Sequence, residues 1–396
     1  MFSKIDPDFI KYFIYKLSFR RNFIALLSIY FLTLPDTTAN QIGIFSGISY
    51  LLSFFLEIPS GYLSDKIGHK KILIGGKVFQ FFSVIFYITA FFLPSPWNFY
   101  SVFMGSILQT LSFTAASGTD SAFLHEILEK KGHESMYAKI HGKISAYVSL
   151  ISVIFIVSLP FFTLYHILLP FIIWLIVDIF GFISLISIQY TQPDTQNHKE
   201  YKNFGQLFKE SIDNKTLHVS FFLAIVIGFM VGEAAFRGVY LTELGYPISL
   251  IGMVMGASRI IWFFIGNSIH LLKGKVHLRQ FFFFEIFFFS MLFLCITLGN
   301  NPYIVGSLFA LAVGYQWGRK GLMEDMLLND YIQDKRYKAT FLSIQGQISN
   351  LISVFISFLL GFITSYSFKI GYMTFTLLFS ICLCLSFYFI FRKKEC

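Results

Sequence analysis

Arg20, Arg21, Glu57, Asp178, Glu233, Arg259, Glu285 and Arg319 stand inside otherwise apolar stretches of the sequence. A charged side chain in hydrocarbon costs about 3 kcal/mol or more, so such residues face a cavity or a partner. Two kinds of chemistry are open to them. A desolvated carboxyl holds its proton more tightly and can load and release it as its surroundings change. A guanidinium recognises the carboxylate or phosphate of an anionic solute. Against both stands the plainer role of an ion pair between helices. Glu233 and Arg237, one turn apart, can pair on a single helix face.

Other chemistries find little support. His69, His125, His133, His141, His270 and His277 fall in loops or at the ends of apolar blocks, and none has metal-ligand spacing beside Cys or a carboxylate. Cys295, Cys382 and Cys384 lie in apolar segments and Cys396 is the last residue, so neither a disulfide framework nor a metal site is expected. There is no P-loop to drive an ATP pump, and no cofactor is expected. Asp120, His125 and Glu126 form the best offering for a lipid-modifying enzyme, and a solvated helix end explains them better. Runs such as Phe281 to Phe284 suit lipid contact and packing rather than a binding cage.

The elements that position these residues follow from composition. Charged residues make up 13% of 396, against about 25% in soluble domains. The net charge of +9 lies in short stretches between apolar blocks, which argues against a nucleic-acid partner and for membrane lipid. The blocks cover 9–34, 41–63, 72–93, 98–118, 140–162 and 166–190, then 218–242, 249–270, 278–299, 302–322, 341–365 and 370–391. Each matches the roughly 20 residues needed to cross about 30 Å of hydrocarbon. The reading is an all-α polytopic membrane protein with twelve transmembrane helices. It has one bundle in 1–190, a cytoplasmic linker in 191–217 with Pro193, Lys199 and Lys202, and a second bundle in 218–396.

Positive residues in short loops stay cytoplasmic. One alternate set of loops holds Lys66, Lys70 and Lys71; Lys130 and Lys131; Lys273, Lys275 and Arg279; Lys335 and Arg336. The opposite set holds only Lys369. Both termini are therefore expected in the cytoplasm, and the absence of a cleavable leader pattern keeps the first block in the protein. An internal repeat supports the six-plus-six division. K-I-S-A-Y-V-S-L after Gly142 resembles Q-I-S-N-L-I-S-V after Gly346, a register that sets Asp120 against Glu324 and Glu126 against Asp330. Q-I-G-I-F-S-G ending at Gly47 likewise resembles L-I-G-M-V-M-G ending at Gly256.

Between the second and third blocks lies G-Y-L-S-D-K-I-G-H-K-K, from Gly61 to Lys71. Gly61 permits close helix approach, Asp65 can accept from amides at a helix N-terminus, Gly68 permits a tight turn, and Lys66, Lys70 and Lys71 hold the loop cytoplasmic. This stretch resembles the signature loop of the major facilitator superfamily, and with it comes the expectation of that fold, two six-helix bundles. The resemblance implies a latch between halves for Gly61, Asp65, Lys66, Gly68, Lys70 and Lys71. It also implies that spans one, four, seven and ten line a cavity, with two, five, eight and eleven beside it. Arg20 or Arg21, Arg259 and Arg319 then become substrate-cavity candidates, and Glu57 or Glu233 the proton-coupling group. Asp178 and Glu285 fall to structural roles. Two family features are missing: residues 98–119 lack a basic residue, and 143–162 lack the glycine motif of many drug antiporters.

The expected function is secondary active transport of a small solute, anionic if the arginines bind it, coupled to protons, in the bacterial inner membrane and as a monomer. Export and uptake stay open. A lipid-modifying enzyme and a non-transporting receptor or scaffold are the alternatives.

Overall fold

A computed structural model describes residues 7–133, 136–189, 214–268, 277–319 and 338–392. The linker expected at 191–217, apart from the helical backbone from Asn214, and Glu324 and Asp330 of the repeat lie outside those residues. Regular structure among the described residues consists of α-helices and two short 3-10 turns.

In chain order the helices are α1 (Pro7–Ser18), α2 (Ile24–Phe31), α3 (Ala39–Ile67), α4 (His69–Ala90), α5 (Trp97–Ala116), α6 (Thr119–Lys130), α7 (Tyr137–Ser158) and α8 (Leu169–Ser187). They continue with α9 (Asn214–Gly232), α10 (Ala234–Glu243), α11 (Ile251–Ser268), α12 (Leu278–Leu298), α13 (Pro302–Gly318), α14 (Lys338–Thr364) and α15 (Phe368–Arg392). Eight are long and apolar enough to span, and α9 with α10, bent by 47°, makes a ninth. The first, fourth and tenth apolar blocks supply the other three. α5 carries Ser106, Gln109, Thr110 and Thr114 on its buried face, which lowers its hydropathy. α13 has only 17 residues, about 25 Å at 1.5 Å per residue. Its start is marked by Pro302 at the first position and by Asn301 Oδ1, which accepts from the amides of Tyr303 (3.0 Å) and Ile304 (3.3 Å).

Two spans expected as single helices are broken. The first breaks at residues 19–23, where Arg20, Arg21 and Asn22 interrupt the apolar run and Arg21 takes φ +49°. The seventh breaks at Glu233, directly after Gly232. The fifth ends in a 3-10 turn, Leu159–Leu164, because Pro160 cannot donate to the helix ladder.

The chain condenses into two compact units. The first comprises residues 1–37, 48–196 and 248–252, the second 38–47, 197–247 and 253–396. In the first, Tyr12 and Tyr15 of α1 pack with Phe123, Leu124 and Leu128 of α6 and Val148 of α7, while Phe23, Tyr30, Tyr87, Phe171 and Trp174 form an aromatic core. In the second, Phe229, Phe293, Phe375 and Phe379 cluster. There α9 lies against α14 closely enough for Ser353 and Ser357 hydroxyls to donate to the carbonyls of Gly228 (3.1 Å) and Gly232 (3.0 Å). A side chain at Gly228 would stand 2.6 Å from Ile352 Cβ, so only glycine allows this approach.

Candidate functional site

The break in the first span is the best-constructed polar feature of the first unit. α1 stops at Ser18, whose carbonyl is left without an intrahelical partner. Gln80 of α4 reaches it, Nε2 donating at 3.0 Å. Lys77, one turn earlier on α4, donates from Nζ to Ser18 Oγ (3.0 Å), to Gln80 Oε1 (3.3 Å) and to Asp178 Oδ1 on α8 (2.7 Å). Both charged side chains are 0% exposed. A side chain at Gly181 would fall on Ser18, so the glycine lets α8 lie against the break. Three helices thus fix the position at which span one stops.

Beyond that point the chain turns and presents Arg20 and Arg21 to a cavity of about 340 Å³. Its walls are Lys16, Phe19, Arg20 and Arg21 from the end of α1 and the break, Phe113, Ala116 and Ser117 from the end of α5, and Asp120 from α6. The Arg21 guanidinium lies 5.0 Å from the centroid of the Phe113 ring. With its amide oriented to satisfy both neighbours, the Gln109 oxygen accepts from Arg21 Nη1 (2.8 Å) and Nε (3.2 Å), and its nitrogen donates to Ser83 Oγ (3.2 Å). Gly118, at φ +75°, turns the chain from α5 into α6 and brings Asp120 to the cavity wall. There Asp120 forms an ion pair with Lys16, accepts from Ser121 Oγ (3.3 Å), and has its backbone oxygen bound by Tyr12 Oη (3.0 Å). Three cations and one carboxylate line a space whose remaining walls are aromatic or small. The local charge is net positive, as an anion site requires.

Neighbours on a helix point about 100° apart, so only one of Arg20 and Arg21 was expected to face a cavity; both line it, because they stand in the break between α1 and α2 rather than on a helix. Arg259 is half-buried, 5.1 Å from the Trp262 ring centroid. Arg319 is buried against α12, with Nε 2.8 Å from Glu285 Oε1, an oxygen that also accepts from Tyr315 Oη at 3.2 Å. Glu57 is half-buried on α3. Glu233 is fully buried at the break of the seventh span. Arg237 Nε donates to its Oε1 at 3.0 Å, Tyr372 Oη to its Oε2 at 3.3 Å, and the Arg237 guanidinium stands 5.6 Å from the Phe309 centroid. Lys77, Lys16 and Gln109 were not singled out from the sequence. The first two stand near the starts of apolar stretches, where a lysine reads as the edge of a loop.

The loop from Gly61 to Lys71 is ordered by its neighbours in the first unit. Gly68, at φ +105°, separates α3 from α4 as its position implied. His69 Nδ1 lies 2.8 Å from Glu126 Oε1, and its Nε2 3.5 Å from Asp65 Oδ1. Lys70 Nζ donates to the carbonyls of Ile186 (2.8 Å) and Ile188 (2.6 Å), at the C-terminal end of α8, where the helix dipole favours a cation. Lys66 and Lys71 are exposed. Around Gly61 no atom lies within 4 Å of where a side chain would stand, so the close approach expected there is absent among the described residues.

Residues 12–334 match the family model of the Major Facilitator Superfamily. An uncharacterized transporter of Buchnera aphidicola subsp. Schizaphis graminum (strain Sg) is 27% identical over 210 residues, 52% of this chain and 49% of that protein, so the match spans about half the relative's length. Among solved structures, the nucleoside transporter NupG aligns with a TM-score of 0.76 at 12% identity, over 98% of this chain and 99% of its own. A bacterial homolog of the human lysosomal transporter Spinster, inward-facing and unoccupied, aligns with a TM-score of 0.69 at 12% identity, covering 97% and 96%. At that identity the likeness speaks for the fold.

Proposed function

Because this chain belongs to the major facilitator superfamily and is a membrane transporter, we propose that it is a secondary active transporter of a small anionic solute, working by alternating access and coupled to protons. The observation that carries the solute class is the cavity beside the break in span one, where Lys16, Arg20 and Arg21 outnumber Asp120. Lys16 and Arg21 are half-buried and Arg20 is exposed, so the surplus positive charge faces the space a solute would enter, and an anion complements it where a neutral solute would not. A nucleoside, the solute in the name of one structural neighbour, is on that ground the weaker reading.

Coupling falls to Glu57 or Glu233. Glu233 closes the break in span seven and is held by Arg237 and Tyr372, so gain or loss of its proton would change the partners that fix the kink. The membrane is the plasma membrane, the termini and the 191–217 linker are cytoplasmic, the halves are 1–190 and 218–396, and the protein acts as a monomer with no covalent step.

Proteoliposomes carrying an inward proton gradient test both parts. Uptake of labelled anions above that of neutral analogues is expected, and Arg21→Gln should reduce it about tenfold, the worth of one charge-assisted contact. Glu57→Gln or Glu233→Gln should abolish the response to the gradient while exchange persists. Equal transport of neutral and anionic solutes would overturn the solute class. Full coupled accumulation by both carboxylate variants would overturn the coupling assignment.

A further inference from the structure

The charged side chains around the cavity can be counted one by one. Lys16, Arg20 and Arg21 supply three cations, and Asp120 takes one of them by pairing with Lys16. Asp178, the other carboxylate near the break, is paired with Lys77 and is not among the cavity walls; its charge also acts on Arg21, and that of Lys77 offsets it. Two guanidiniums are left for the solute. Arg21 is already oriented, with one edge on Gln109 and one face toward Phe113, which presents its remaining donors in a fixed plane. A guanidinium held this way favours a carboxylate or phosphate oxygen pair over a point anion.

We propose that the cavity is matched to a dianion carrying an apolar or planar body, and that Asp120 sets this charge requirement by occupying Lys16. The inference rests on the anion reading of the cavity and sharpens it to a charge number. Phe19 and Phe113 receive the body of the solute, Arg20 and Arg21 its two acidic groups, and Ala116 with Ser117 leave room for it. Asp120 acts through Lys16 and is a specificity-determining residue. Removing its charge frees a third cation, whereas removing Lys16 leaves Asp120 to oppose the guanidiniums. The two changes therefore move the preferred ligand charge in opposite directions, as charge complementarity demands.

Benzoate, isophthalate and trimesate share one ring and carry one, two and three carboxylates, and neutral benzamide completes the series. Binding to the purified full-length protein in detergent at pH 8, read by calorimetry and by thermal shift, tests the proposal. For the native protein isophthalate is expected to bind about tenfold tighter than benzoate, with trimesate no tighter than isophthalate. In Asp120→Asn trimesate becomes the tightest ligand. In Lys16→Gln the advantage of isophthalate over benzoate falls about tenfold. If Asp120→Asn does not yield folded protein, the Lys16→Gln shift alone decides. If anions bind more tightly than benzamide but their order stays unchanged in the variants, the charge-setting role of Asp120 is wrong and the anion site stands. If benzamide binds as tightly as the anions to the native protein, both readings fall.

Discussion

Arg21 stands at φ +49°, a backbone region that a non-glycine residue keeps only where its surroundings over-determine it. Those surroundings are Gln109 on its donors, Phe113 on its face, and the Lys77, Gln80 and Asp178 network on the carbonyl and hydroxyl of Ser18. The network positions the arginines without touching the cavity. Breaking a buried ion pair from one side leaves a charge with nothing to meet it, at about 3–5 kcal/mol. Lys77→Met or Asp178→Asn alone should thus lower the melting temperature in detergent sharply, while Lys77→Met with Asp178→Leu should recover most of it. A double variant as unstable as the worse single one would refute this account. Arg20 and Arg21 were legible in the sequence because counting 1.5 Å per residue put them near mid-depth. Lys77 was not, because what internalises it is Asp178, 101 positions away, and no local pattern encodes that meeting.

Among elements, the twelve apolar blocks translate directly into the helices of the fold, since hydrocarbon leaves the backbone no alternative to internal hydrogen bonding. The breaks in spans one and seven are another matter. Their interruptions are only a few residues long, and the orphaned carbonyl of Ser18 finds its donor on a different helix. Gly43 and Gly252, matched in the internal repeat, both sit where a side chain could not fit: a Cβ on Gly43 would stand 2.8 Å from Gly361 on α14, and one on Gly252 3.0 Å from Val157 and Pro160 in the fifth span, a packing role that the repeat marked without explaining. Asp8, ahead of the first apolar block, ties three elements together. Lys131 after α6 lies 2.7 Å away, Lys11 of α1 3.2 Å, and the Gln189 amide after α8 donates at 3.5 Å. Burial works to raise its carboxyl, but the two ammoniums outweigh it and hold the group below the ordinary 3.8. A carboxyl lowered in the folded state adds stability that is present above 3.8 and lost as pH falls through its folded value. The gap in melting temperature between the native protein and Asp8→Asn should therefore be open from pH 5 to 7 and close toward pH 3. A gap that persists at pH 3 would mean the residue acts through packing.

For the molecule as a whole, orientation in the membrane is the property that every functional assignment uses, because a gradient acts only along a defined direction. We propose it from charge counting: Lys66, Lys70 and Lys71 belong to one set of alternate loops, and the opposite set offers only Lys369. With an even number of spans, this proposal puts both ends on the basic side. Lys70 explains why that side holds its shape, since its ammonium closes the C-terminal carbonyls of α8 and is of structural use there as well as topological. Labelling decides the matter. In a background with Cys295, Cys382, Cys384 and Cys396 changed to Ser, Lys369→Cys should react with a membrane-impermeant maleimide on intact cells, and Lys71→Cys only after permeabilisation. Both positions are charged, and Lys71 is exposed, so reactivity reports sidedness rather than burial. The reverse pattern would invert the membrane assignment and with it the direction in which a proton gradient drives the solute. Labelling of both sites on intact cells would show that the basic loops do not fix a single orientation.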